Sequence, residues 1–193
     1  MRKLFFGTLV LATALAGCTS PRLPAYVTSR DTLYLLHQTA DVDVAVGEIY
    51  GGPRELIDAA DGIDFSFCGL DSSDDSDGNS PTYRGYIRQA LIDELSAAGR
   101  YSKQGEDIVI TGNIERLRLV RYLPFKANWI IAVRFASSNG AEFLVSSEYA
   151  FDVHAMAGPT VCNRAVESFG PAVNEMIERA ALSPQFGDLL RVD

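Results

Sequence analysis

The sequence predicts an α+β fold, a two-layer design in which an antiparallel-rich four-stranded sheet carries two amphipathic helices packed on one face. Three observations predict it. Four segments alternate apolar and polar residues at a period of two, two segments repeat apolar residues at three- and four-residue steps, and the order is strand, helix, three strands, helix. The 193 residues, 47% hydrophobic and 22% charged, match one globular domain and exclude a disordered, collagenous or multi-span membrane chain.

The first strand is expected over 42–50, where Val42, Val44 and Val46 alternate with Asp43, Ala45 and Gly47 before Gly51-Gly52-Pro53 ends the run. Residues 53–81 form a long irregular connection with an apolar patch (Ile63, Phe65, Phe67) and a polar run from Asp71 to Gly78, a length usually associated with function or mobility. Ser80-Pro81 then reads as an N-cap followed by proline in the first helical turn. Tyr83, Ile87, Ala90, Leu91, Glu94, Leu95 and Ala98 make one stripe of that helix, and Gly99 sits where a C-terminal cap belongs.

Three strands follow. Ile108, Ile110 and Ile114 alternate with polar or outward partners, less regularly toward Leu119. Trp129, Ile131, Val133 and Phe135 form the next inward row, and Phe143, Val145, Ser147, Tyr149, Phe151 and Val153 the last. Asn139-Gly140 between them predicts a type I′ turn, which needs two residues with positive φ, so 127–154 reads as a long antiparallel hairpin. The final helix, about 160–182, presents Cys162, Ala165, Val166, Phe169, Val173, Met176, Ile177 and Ala180 at helical spacing. Gly170-Pro171 is expected to interrupt it as a kink or as two abutting helices, because proline lacks the backbone N–H and crowds the preceding turn. The tail either packs Phe186, Leu189 and Leu190 or frays.

Ahead of the domain, Arg2 and Lys3 precede an apolar run from Leu4 to Leu15 and the small residues Ala16 and Gly17, the layout of a secretory signal. That run is shorter than the roughly 20 residues a membrane-spanning helix needs. Leu15-Ala16-Gly17-Cys18 resembles the lipobox of bacterial lipoproteins at the expected place. The resemblance implies that Cys18 is diacylated on sulfur, that the chain is cut before it, and that the new amino group is acylated. Three acyl chains then hold the protein firmly, at about 0.8 kcal/mol per buried methylene. Thr19, and not aspartate, follows the cysteine, which by resemblance to the enterobacterial sorting pattern implies the outer membrane.

The organisation expected is a signal peptide over 1–17, a lipid anchor and tether over 18–41 with Pro21 and Pro24, and a periplasmic α+β domain over 42–193. Loss of 1–17 takes two cations and leaves 176 residues at net −10, against −8 for the whole chain. Such an acidic balance offers no basic footprint for nucleic acid. Cys68 and Cys162 are an even pair in a chain bound for an oxidising compartment, so a disulfide is expected, with two buried thiols as the alternative. Over residues 42–182 the element order, with the lipobox, resembles the small envelope lipoproteins that include the lipopolysaccharide-assembly and transport-auxiliary lipoproteins.

Catalytic and metal chemistry finds no motif. Aligning Asp75, Asp77 and Gly78 with an EF-hand loop puts Ser73 first and Arg84 in place of the bidentate glutamate that calcium needs. His37 and His154 have no metal-ligating neighbours at sensible spacing. Asp93 and Glu94 are adjacent on a helix and point apart, and no serine lies in GxSxG. No catalytic residue, no metal and no cofactor is therefore expected. The region 116–130 differs, because Arg116, Arg118, Arg121 and Lys126 gather around Tyr122, Phe125 and Trp129 in an acidic protein. Exposed, this basic-aromatic loop suits lipid headgroups, lipopolysaccharide phosphates or an acidic partner. Otherwise its aromatics are core residues at a hairpin corner with a solvated cationic rim. The expected function is a non-catalytic binding or assembly accessory of an envelope complex, with a lipid or small-ligand binding module as the alternative and a hydrolase less favoured.

Overall fold

The computed structural model describes residues 23–38, 42–51, 82–104, 107–123, 125–153 and 159–192, excepting the side chains of 121–123 and 159–161. Strands β1 (Val44–Gly51), β2 (Ile108–Leu123), β3 (Lys126–Ser137) and β4 (Glu142–Asp152) form one sheet in that spatial order. The sheet is mixed and mostly antiparallel. β1 and β2 run parallel and the other two pairs antiparallel, the parallel pair lying on either side of helix α2 (Tyr83–Ala97), since parallel neighbours need a crossover. Leu119, Trp129 and Tyr149 align across β2, β3 and β4, as do Gly112, Phe135 and Phe143.

A register shift between Ile114 and Arg116 explains the irregular alternation of β2. Before it the buried residues are Ile108, Ile110 and Ile114; after it they are Leu117 and Leu119. One extra residue, Glu115, moves the inward phase from even to odd positions and keeps the apolar side on the core. A second irregularity lies in β1 between Val46 and Ile49. There the Arg88 guanidinium of α2 donates from Nε to the Gly47 carbonyl and from Nη2 to the Val46 carbonyl, each at 2.8 Å, so the helix satisfies acceptors that the ladder leaves.

The helices pack on one face of the sheet. α2 begins at Thr82, whose Oγ1 accepts from the Gly85 N–H at 3.0 Å, two residues beyond the cap expected at Ser80, which lies outside the described residues. Gly99 takes φ +69° just past the helix end, as the sequence predicts. Helix α3 (Pro159–Leu182) runs through Pro171 as one continuous helix, so of the two expected forms the two abutting helices are excluded. Its cost there is a single missing backbone bond to the Glu167 carbonyl. Phe169 joins the layers: its ring lies 4.9 Å from that of Trp129 and 4.7 Å from that of Tyr83, both edge-to-face. Trp129 is wholly buried, and its Nε1 donates to Ser168 Oγ at 3.0 Å and to the Ala165 carbonyl at 3.2 Å.

Two expectations change, and one of the two outcomes left open for the tail holds. The segment read as tether is folded onto the domain from Leu23 to Gln38, as an extended strap (23–29) and helix α1 (Arg30–His37), which buries Thr32 and Leu36 against α2 and α3. Asn139 keeps a negative φ, which excludes the type I′ turn; Gly140 alone is left-handed, at φ +87°, and its N–H donates to the Ser137 carbonyl. The loop is therefore longer than two residues, with glycine at its left-handed position. The tail packs: helix α4 (Pro184–Leu189) buries Phe186, Leu189 and Leu190.

Candidate functional site

Two surfaces are candidates, and the first is the sheet face that no described helix covers. Arg116 and Arg118 oppose Ala132 and Ile130 on β3, which oppose Ser146 and Glu148 on β4. Lys126 shares that face at the strand start opposite Asp152. Arg116 and Arg118 thus lie on β2, Lys126 on β3 and the carboxylates Glu148 and Asp152 on β4, with Ile130, Ala132 and a half-exposed Leu144 between or beside them. Arg134 is anchored within the face, Nε to Glu115 at 2.6 Å and Nη1 to Glu142 at 3.9 Å, and these carboxylates hold its guanidinium more firmly protonated than usual.

The basic-aromatic region is thus a β2–β3 hairpin and not a loop. Trp129 belongs to the core, while Phe125 at the hairpin tip is 58% exposed. Arg121 occupies the register position opposite Ala127, out of phase with Arg116 and Arg118; its side chain and that of Tyr122 are outside the described set. The structure therefore gathers Arg116, Arg118 and Lys126 on one face and places Phe125 at its end.

The second surface is built by the strap. Tyr26 donates its hydroxyl proton to Glu94 Oε1 at 2.8 Å, and the Ser29 N–H donates to the same oxygen at 2.7 Å. Glu94 lies in the apolar stripe of α2 and is completely buried. Burial, the largest influence, pushes its carboxyl above the usual range, while the two hydrogen bonds oppose the shift. Burial and the neighbouring Glu94 likewise raise the Tyr26 hydroxyl far above its ordinary value. The strap is pinned again where Asn174 Nδ2 of α3 donates to the Val27 carbonyl at 3.0 Å.

Between strap, α2 and α3 lies a cleft of about 610 Å³, within the range of small-ligand sites. Its apolar wall includes Pro24, Val27 and Pro171, and its α3 wall carries Glu167, Glu175 and Glu178, with no lysine or arginine among the described lining residues. Tyr86 forms part of the lining at 7% exposure, and its hydroxyl has no hydrogen-bond partner among the described residues. A Cβ at Gly170 would stand 2.7 Å from that hydroxyl, so the glycine makes the room in which the hydroxyl sits. Glu167 pairs with Arg164 at 3.0 Å and Glu175 with Arg179 at 2.6 Å, both on the exposed helix surface, where such pairs contribute little.

Sequence reasoning missed this cleft. Its carboxylates follow helical spacing along α3, but its other wall comes from a segment whose prolines read as tether. Among the remaining predicted residues, Cys162 is buried near the start of α3, while Cys18, Cys68, His154 and the acidic run 71–78 lie outside the described residues. His37 ends α1. Among the described residues no group of three His, Cys, Asp or Glu is placed to hold a metal, and no helix is long and apolar enough to cross a membrane.

No family model matches the chain, and no curated protein matches it. Among solved structures, a Xanthomonas campestris protein of the family DUF330 is similar at 8% identity, covering 88% of this chain and 92% of its own, with a TM-score of 0.47. A structure titled as an uncharacterised protein shares 11% identity over 72% of this chain and 92% of its own, TM-score 0.41. The PelC dodecamer from Paraburkholderia phytofirmans shares 14% identity over 82% and 96% of the two chains, TM-score 0.34.

Proposed function

We propose that the chain is an outer-membrane-anchored periplasmic lipoprotein acting, without catalysis, as a binding accessory of a cell-envelope complex. Acylation at Cys18 supplies the anchor, and a Cys68–Cys162 disulfide braces the domain. The observation that carries the binding role is the sheet face that no described helix covers, where Arg116, Arg118 and Lys126 stand beside Ile130 and Ala132 with Phe125 at the tip. Chemically mixed, it suits an anionic partner surface that brings apolar contacts with it.

The test is crosslinking in envelope extracts with wild type, Arg116→Glu/Arg118→Glu and Arg116→Lys/Arg118→Lys. A partner lost with glutamate and retained with lysine supports the reading; a partner list unchanged by glutamate overturns it. Mass analysis of the membrane fraction tests the anchor separately, and an unmodified Cys18 there sinks it.

A further inference from the structure

We infer that the cleft between the strap and α3 is a binding site for a linear polyamine, a ligand with several ammonium groups joined by methylene spacers. The proposal is independent of the partner-binding role of the sheet face.

The charge pattern selects the class. Glu167, Glu175 and Glu178 stand along one side of α3, and eight residues of helix place the first two about 12 Å apart along the axis. Carboxylates so spread do not converge on a compact ion, in keeping with the lack of a metal-competent group among the described residues. They do match charges distributed along a flexible chain. Between them the wall is apolar: Pro171 on the helix, Pro24 and Val27 on the strap, surfaces against which methylenes shed water favourably.

The floor supplies a second, independent feature. Tyr86 is 93% buried, lines the cleft and leaves its hydroxyl without a partner among the described residues. A buried, unbonded hydroxyl costs roughly 1–3 kcal/mol, which a ligand N–H relieves. Pro24 Cγ lies 3.8 Å from the position a Gly170 Cβ would take, and that position lies 2.7 Å from the hydroxyl, so Gly170 and Pro24 both border it. Arg164 and Arg179 already neutralise Glu167 and Glu175 in part; being exposed pairs, they yield to a ligand at small cost. Glu178 has no such arginine partner among the described residues.

Calorimetric titration of the purified full chain with spermidine tests the site. Saturable one-to-one binding is expected, weakened about tenfold or more by Glu175→Gln/Glu178→Gln, as loss of charge-assisted hydrogen bonds implies. Gly170→Ala should weaken it comparably by crowding the Tyr86 hydroxyl, 2.7 Å from the added Cβ. Tyr86→Phe, which keeps the ring and the packing, should weaken it severalfold, and circular dichroism verifies that each variant is folded. An uncharged diol of matching length should not bind. Absence of saturable spermidine binding, equal binding by the diol, equal competition by magnesium at matched charge, or an unchanged affinity in the folded double variant each overturns the proposal.

Discussion

Tyr26 and Glu94, 68 positions apart, are joined at 2.8 Å through a carboxylate that has no solvent exposure. The contact ties the N-terminal strap to the second helix at a point where charge is costly. Because Oε1 also receives the Ser29 N–H at 2.7 Å, one oxygen holds both ends of a short span of chain.

Glu94→Ala should therefore destabilise the protein by about 2–4 kcal/mol, by stranding two donors and opening a cavity. Limited proteolysis should reveal faster cutting within 23–29. The pH dependence has a definite sign. Burial raises the folded carboxyl above its ordinary 4.5, so the folded state holds the proton more tightly, and stability from this group is full below about 4.5 and falls as pH rises through the folded value. Glu94→Gln removes that dependence. The stability difference between Glu94→Gln and wild type, measured by urea unfolding, should shift in favour of glutamine as pH rises; a difference constant with pH would contradict it.

Asn139 connects the β3–β4 turn to the tail. Its Nδ2 donates to the carbonyls of Asp188 and Arg191 at 2.9 and 2.8 Å, and more weakly to Leu189, which also accepts from Ser137 Oγ at 2.7 Å. Asn139→Ala should cost about 1–2 kcal/mol. Hydrogen exchange should accelerate selectively at α4 amides while β3 stays protected; uniform acceleration would mean that the tail is not a separately docked unit.

Two left-handed glycines separate strain from crowding. Gly51 has φ +76°, and a Cβ there would lie 2.6 Å from the Ile114 carbonyl oxygen, whereas Gly140 at φ +87° has nothing within 4 Å. Gly140→Ala should cost about 1 kcal/mol from backbone conformation alone. Gly51→Ala should cost about 2–4 kcal/mol, because a backbone clash adds to the same strain. Equal losses in chemical denaturation would refute the crowding.

Alternation made β2, β3 and β4 legible, because one face of the sheet is buried and every inward Ile, Val or Phe repeats at two. The same signal is blind to strand direction, so the parallel β1–β2 pair had to come from the structure. Glu115 blurred β2 by adding one residue to a strict alternation. The strap and α1 escaped because Pro21 and Pro24 read as tether, although Leu33, Tyr34, Leu35 and Leu36 run together in the sequence; the burial of Tyr26 and Leu36 depends on partners far away in sequence. Glu94 was visible within the apolar stripe, yet only the arrival of Tyr26 and Ser29 gives a carboxylate there a reason to be buried. Asn139 was expected to adopt positive φ; its amide is instead committed to tail carbonyls that no local pattern reveals.

The strap also sets a leash. With the chain folded from Leu23 onward, the covalent path from an acylated Cys18 to Pro24 spans six residues, about 20 Å when fully extended. Under the proposed anchoring, the leash would keep Pro24 within about 20 Å of the acylated residue. Anionic headgroups enrich cations within a Debye length of about 8 Å, so the acidic cleft would draw on that layer only while the leash is slack and the strap lies close to the surface.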